Sequence, residues 1–219
     1  MVTLKSPAEQ FLTQEEQDQV TAVVKEAEQT TSGEIVPMIV SRSHDYPMAA
    51  ALAVVCVGLP LSLLLTALIG SLLWIGPENL WLFLAIFSGC FAVLYPLAYR
   101  SDTIKRFFLN ETLADFEVRE AALAAFYSEG LYKTRESNGI LLFVSVLEHK
   151  VWILADAGIN DRIDKAVWEN IVADITRGIK AGRRCEAICE AVRRIGSVLR
   201  AQFPYQKSDT DELHNLIVR

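Results

Sequence analysis

Residues 48–73 read MAAALAVVCVGLPLSLLLTALIGSLL and residues 80–99 read LWLFLAIFSGCFAVLYPLAY, and the fold turns on these two runs. Between positions 48 and 99 the single charge is Glu78. A helix crosses a bilayer with ~20 mostly apolar residues, so the stretch is long enough for two spans and too long for one. Gly76-Pro77-Glu78-Asn79 breaks it in the middle, which predicts an antiparallel helical hairpin over 48–73 and 80–99. The competing reading is a helix pair buried in a soluble core, but such helices are rarely apolar on every face.

Secondary marks support membrane helices. Gly58, Ser62, Thr66 and Gly70 recur every four residues on the first run, and Ala85 with Gly89 and Ser88 with Ala92 do so on the second. Small side chains at that spacing let two backbones approach in lipid. Trp74 and Trp81 flank the turn, while Tyr46, Tyr95 and Tyr99 lie at the other end, as interfacial aromatic belts do. Pro60 and Pro96 are expected to kink the helices. Neither run contains an ionisable group for a proton or ion pathway, which favours an anchor over a transporter.

Arg42, Arg100, Lys105 and Arg106 lie beside the polar ends of the hairpin, and the turn has no Lys or Arg. The positive-inside rule therefore predicts both termini and the polar mass in the cytoplasm. Residues 1–47 hold no apolar signal-like core, so no cleaved secretion signal is expected. Cys56 and Cys90 fall within the spans and Cys185 with Cys189 is an i, i+4 pair, which is neither a disulfide framework nor a zinc set. The net charge of −6 and the lack of a basic stripe with interleaved aromatics argue against nucleic acid as a partner.

The flanks supply one α/β domain in two parts, 1–47 and 100–204, followed by a polar tail at 205–219. Thr13-x-x-Glu16 is a capping box opening a helix through Val20, Val23, Val24 and Ala27. Residues 34–40, EIVPMIV, read as a strand, and Pro37 confines it to an edge or to one-sided pairing at that point. After a helix with Leu113, Phe116, Ala121, Leu123 and Phe126, the apolar run 139–147 predicts a central strand. Glu148-His149-Lys150 turns it into a second strand at 151–155. Two amphipathic helices follow, one on Ile163, Val167, Ile171, Ile175 and Ile179, the other on Cys185, Ile188, Val192, Ile195, Leu199 and Phe203. The expected class is α/β: a small sheet of at least three strands covered by helices and interrupted by a transmembrane helical hairpin. Because 1–47 is too small to bury a core alone, strand 34–40 is expected to share a sheet with 139–147.

Thr31-Ser-Gly-Glu-Ile-Val36, Asn138-Gly-Ile-Leu-Leu-Phe-Val-Ser145 and Glu148-His-Lys-Val-Trp-Ile-Leu-Ala-Asp-Ala-Gly-Ile159 resemble the TPM-domain family. Trp168, Ile171-Val172 and Ala201-Gln-Phe-Pro204 add to the likeness. That family includes thylakoid-lumen phosphatase-like and photosystem II repair-like proteins, and this chain looks most like a bacterial branch with a two-span hairpin inserted after the first strand. The resemblance implies either a phosphatase-like activity or an accessory role in membrane complexes.

Few residues carry chemistry. Asp156 and Asp161 bracket a Gly-containing loop after a strand, and oxygen ligands there suit Ca²⁺ or Mg²⁺. Glu34, a carboxylate entering a strand, is the third candidate ligand, or a structural partner of Arg119 or Lys133. The bland reading makes Asn160 or Asp161 a helix cap with Asp164 in the first turn. His149 beside Glu148 and Lys150 reads as a solvated turn. Two functions stay open: an accessory, assembly or interaction module for other membrane proteins, or a metal-dependent phosphatase-like hydrolase using Asp156 and its neighbours. The first is favoured because the set of ionisable groups is thin for an enzyme.

Overall fold

Two segments far apart in sequence meet edge to edge in one sheet. Glu34–Val40 (β1) runs parallel to Gly139–Ser145 (β2), with Glu34 opposite Gly139 and Val40 opposite Ser145. Lys150–Ala155 (β3) pairs antiparallel with β2 through the expected hairpin, and Ile217–Val218 (β4) lies along the far side of β1, giving the order β3-β2-β1-β4. This computed structural model describes residues 6–76, 79–134, 136–205 and 213–219. Pro77 and Glu78 of the expected turn, and 206–212 of the expected tail, lie outside them. The helices are Gln14–Glu28 (α1), Pro47–Leu72 (α2), Leu80–Arg100 (α3), Asp102–Phe107 (α4), Glu111–Ser128 (α5), Ala157–Asn160 (α6), Lys165–Lys180 (α7) and Arg184–Gln202 (α8). By packing the chain forms two units, Met1–His44 with Asp115–Arg219, and Asp45–Ala114.

In the first unit the sheet is covered on both sides, and the alternation of side chains sorts them. Ile35, Ile39, Ile140, Leu142 and Val144 face a core completed by α1, α7 and α8. Val36, Met38, Leu141 and Phe143 face the opposite way, onto Val118, Ala122 and Phe126 of α5. Every residue of β2 is therefore buried, as its unbroken apolar run requires. On α5 the core face is Val118, Ala122 and Phe126, while Leu113, Phe116 and Leu123 are exposed. The capping box of α1 is present in both halves: Glu16 N–H donates to Thr13 Oγ1 (3.3 Å), and Thr13 N–H to Glu16 Oε2 (2.7 Å).

The outer edge of β1 is closed residue by residue. Ile35 N–H donates to Glu28 Oε1 (3.0 Å), Pro37 has no N–H to satisfy, and Arg219 N–H donates to Ile39 O (2.9 Å). Pro37 thus sits where β4 has not yet begun, consistent with one-sided pairing there. The expectation of a polar tail from 205 onward needs correcting for its last part. Residues 217–218 join the sheet, and Asn215 Nδ2 donates to Glu28 Oε2 (3.0 Å). An exposed strand edge offers unpaired backbone groups that a short apolar segment such as Leu216-Ile217-Val218 satisfies.

In the second unit α2 and α3 are the two expected hairpin helices, both long and apolar enough to cross a membrane. Gly58, Ser62, Thr66 and Gly70 are the buried stripe of α2, and Ser62 and Thr66 return their hydroxyls to the carbonyls of Gly58 (2.6 Å) and Ser62 (2.7 Å). Their partners are not the small residues of α3: Ala85, Ser88, Gly89 and Ala92 are exposed. An aromatic ladder, Phe83, Phe87, Phe91, Tyr95 and Tyr99, runs up α3 with ring centroids 5.4–6.4 Å apart. Large side chains of α3 meet small ones of α2: Phe91, Leu94, Tyr95 and Tyr99 pack with Ala50, Ala53 and Val54, and a Cβ on Gly58 would lie 3.7 Å from Leu94 Cδ1. At the ladder's end Lys105 is fully buried with Nζ 4.3 Å above the Tyr99 ring.

Candidate functional site

Because β1 and β2 are parallel and β3 opposes them, Glu34, Gly139 and Asp156 arrive at one end of the sheet. Asp156 N–H donates to Gly139 O (2.9 Å), and its Oδ1 accepts from Ala157 N–H (2.6 Å), starting α6. Its Oδ2 is buried without a hydrogen-bond partner. Glu34 is buried, and its N–H donates to Asn138 O (3.2 Å). Gly158 packs so tightly that a Cβ there would lie 2.8 Å from Ser137 O and 3.2 Å from Glu136 O, a contact only glycine allows. The donors gathered at this end are thus oxygens, the type that suits Ca²⁺ or Mg²⁺.

Asp161 is exposed, and its backbone N–H closes α6 on Ala157 O and Ile159 O. Among the described residues no three His, Cys, Asp or Glu side chains converge as a metal ion needs. The cap of α7 is neither Asn160 nor Asp161: Asp164 Oδ1 accepts from Ala166 N–H (2.9 Å), because the extra turn of α6 shifts the helix start.

The Thr31-Ser-Gly-Glu segment pins this end to the rest of the domain. Thr31 Oγ1 donates to Phe203 O (2.6 Å), Ser32 N–H to the same carbonyl (3.0 Å), and Asn138 Nδ2 to Ser32 O. A Cβ on Gly33 would stand 2.7 Å from Leu199 Cδ1, so α8 presses directly on the backbone. Thus Thr31, Asn138, Phe203 and Pro204, which resemblance brought together, form one seam.

The opposite end of the sheet holds a polar cluster that sequence reasoning missed. Glu148 is 7% exposed rather than solvated, and it accepts from Ser43 N–H (2.8 Å) and from Ser145 Oγ. Ser43 Oγ and Ser145 Oγ are 3.1 Å apart. Ser145 is 1% exposed, which closes it to substrate and makes the cluster a clasp on the chain leaving β1. The Ser145-x-x-Glu148 spacing was the available signal. His149 is exposed at the turn with φ 54°, and Lys150 pairs with Asp115 (2.7 Å).

Cys185 and Cys189 are buried with sulfurs 3.9 Å apart. Burial, aided by the charges of Cys189 and Glu16, pushes the Cys185 thiol up to about 12, and burial raises Cys189 as well. Both stay protonated at neutral pH and are packing residues rather than nucleophiles.

The family model described as TPM domain matches residues 103–198. The NMR structure of the BA42 protein from the psychrophilic bacterium Bizionia argentinensis is similar in fold, with TM-score 0.58 and 21% identity over 94% of this chain and 94% of that chain. No curated protein matches the chain. Residues 103–198 are thus similar to the TPM domain, and two helices long and apolar enough to cross a membrane lie between the first strand and that segment.

Proposed function

We propose that the chain is an integral membrane protein with two spans, both termini and the α/β domain lying on the cytoplasmic side of a bacterial inner membrane. Its TPM domain acts there as an accessory, assembly or interaction module for other membrane proteins. The observation that carries this reading is the second apolar face of α5. While Val118, Ala122 and Phe126 serve the core, Phe116 (59% exposed), Leu123 and Tyr127 (57% exposed) look outward, joined by exposed Tyr132. A helix apolar on two sides calls for cover on both. Only residues 101–110 separate α5 from α3, so a partner in the same bilayer is within reach by chain length. The test is in-cell photocrosslinking from positions 116 and 123, with Glu169 as control. A single integral membrane protein captured from the first two, and lost in Phe116→Asp, supports the reading. Adducts absent from both, or equal at Glu169, overturn it.

The unpartnered Oδ2 of Asp156 favours a second reading, a metal-dependent phosphatase-like hydrolase in which Asp156 and Glu34 hold Ca²⁺ or Mg²⁺. Its signature is p-nitrophenyl phosphate hydrolysis by the purified full chain that needs the ion and is lost in Asp156→Asn. Calorimetry without heat for either ion removes it.

A further inference from the structure

Charge in this chain is segregated. Residues 165–202 hold eight Lys and Arg against four Asp and Glu, leaving 13 basic and 23 acidic residues for the rest. Within that basic hairpin, a cleft of about 210 Å³ opens between α7 and α8. Arg177, Arg183 and Arg194 line it, with Asp174 and Glu190 as its acids. Small residues make the space: a Cβ on Gly178 would meet Ala187 Cβ at 2.5 Å, so the helices touch there and the long side chains stand around the contact. The N-terminus of α8 also borders the cleft through Arg183, which gives it no side-chain cap and pairs loosely with the exposed Glu186 of the first turn (3.4 Å).

Asp174 shows where an anion sits. Its carboxylate bridges Arg177 (3.1 Å) and Arg194, one oxygen to each guanidinium. All three side chains are solvent-exposed, and exposed pairs of this kind are held weakly. A dianion engaging both forks and Arg183 together outcompetes a single carboxylate, since guanidinium geometry matches phosphate bidentately. The cleft is smaller than the ~300–1,000 Å³ of pockets for drug-sized ligands, which excludes a whole nucleotide and suits one phosphate group. From these contacts we infer that the α7–α8 cleft is a binding site for a phosphomonoester group, either on a soluble molecule or as the headgroup of an anionic lipid.

The test follows hydrogen exchange of residues 171–194 in the full chain. In one arm the protein, in non-ionic detergent, is titrated with inorganic phosphate against chloride at matched ionic strength. In the other it sits in phosphatidylcholine nanodiscs with or without phosphatidic acid. Protection by phosphate in detergent assigns a soluble ligand, and protection only with phosphatidic acid assigns a headgroup. In the responding arm Arg194→Gln or Arg183→Gln weakens binding roughly tenfold, the weight of one charge-assisted contact. Asp174→Asn tightens it, and Arg200→Gln, outside the cleft, leaves it unchanged. No protection in either arm overturns the inference. So does Arg200→Gln weakening binding as much as Arg194→Gln, or Asp174→Asn weakening it.

Discussion

Replacing Glu148 tests whether the buried clasp holds the outgoing end of β1. Its carboxylate accepts from Ser43 N–H at 2.8 Å and from the buried Ser145 hydroxyl. Glu148→Ala strands both donors, at ~1–3 kcal/mol for each unsatisfied group. The two serine hydroxyls lie 3.1 Å apart and offer each other partial relief, which sets the expected loss at about 2–4 kcal/mol. Glu148→Gln keeps a carbonyl oxygen for Ser43, and the Ser145 hydroxyl rotates to accept from the new amide, so that variant loses about 1 kcal/mol. The measurement is urea unfolding of the detergent-solubilised full chain, read from Trp152 with Trp74, Trp81 and Trp168 replaced by Phe. Trp152 reports on the sheet because it lies opposite Phe143. An Ala variant within about 0.5 kcal/mol of wild type, the scatter of an ordinary surface change, would refute the reasoning. Equal losses for Ala and Gln would refute it too, since they would trace the effect to charge rather than to acceptor geometry.

Gly58→Ile should loosen the helical hairpin, because a Cβ there already lies 3.7 Å from Leu94 Cδ1, whereas Gly89→Ile should be silent, with nothing within 4 Å. Hairpin compactness read by cysteine crosslinking between α2 and α3 in membranes separates the two. The Cys185 thiol, near 9 ordinarily and about 12 when folded, makes the native state hold a proton the unfolded chain releases. Stability is therefore full below pH 9 and falls as pH rises toward 12, and the drop should be shallower in Cys185→Ala when unfolding is compared at pH 8 and 10.5. A reporter fused after Arg219 should behave as cytoplasmic, as the basic bias at one end of the hairpin requires; a periplasmic signal reverses the orientation.

Much of the architecture was legible because short-range rules govern it. The hairpin follows from unbroken apolar length, α1 from its capping box, and β2 from an apolar run too short for a helix and bounded by glycine and a turn. Each of these depends on neighbours a few residues apart. Which face of α5 serves the core was left open by its apolar residues: Val118, Ala122 and Phe126 pack on the sheet, while Leu113, Phe116 and Leu123 are exposed. The closing β4 was hidden because a two-residue strand has no periodicity and exists only through the open edge of β1.

The candidate site divides the same way. Composition named Glu34, Asp156 and Asp161 as the acidic candidates, since carboxylates next to glycine and strand ends are visible in one dimension. That Glu34 and Asp156 share an end of the sheet while Asp161 serves the end of α6 depends on strand direction and register, which no local pattern encodes. Likewise Glu148 became a buried acceptor only because parallel pairing carries Ser43 to Ser145, 102 residues away in sequence. Sequence alone determined the long helices, the first three strands and the apolar hairpin, because side-chain size, polarity and backbone freedom act locally. Tertiary structure alone decided which polar groups lose water and find each other, because burial and hydrogen bonding belong to the packed chain as a whole.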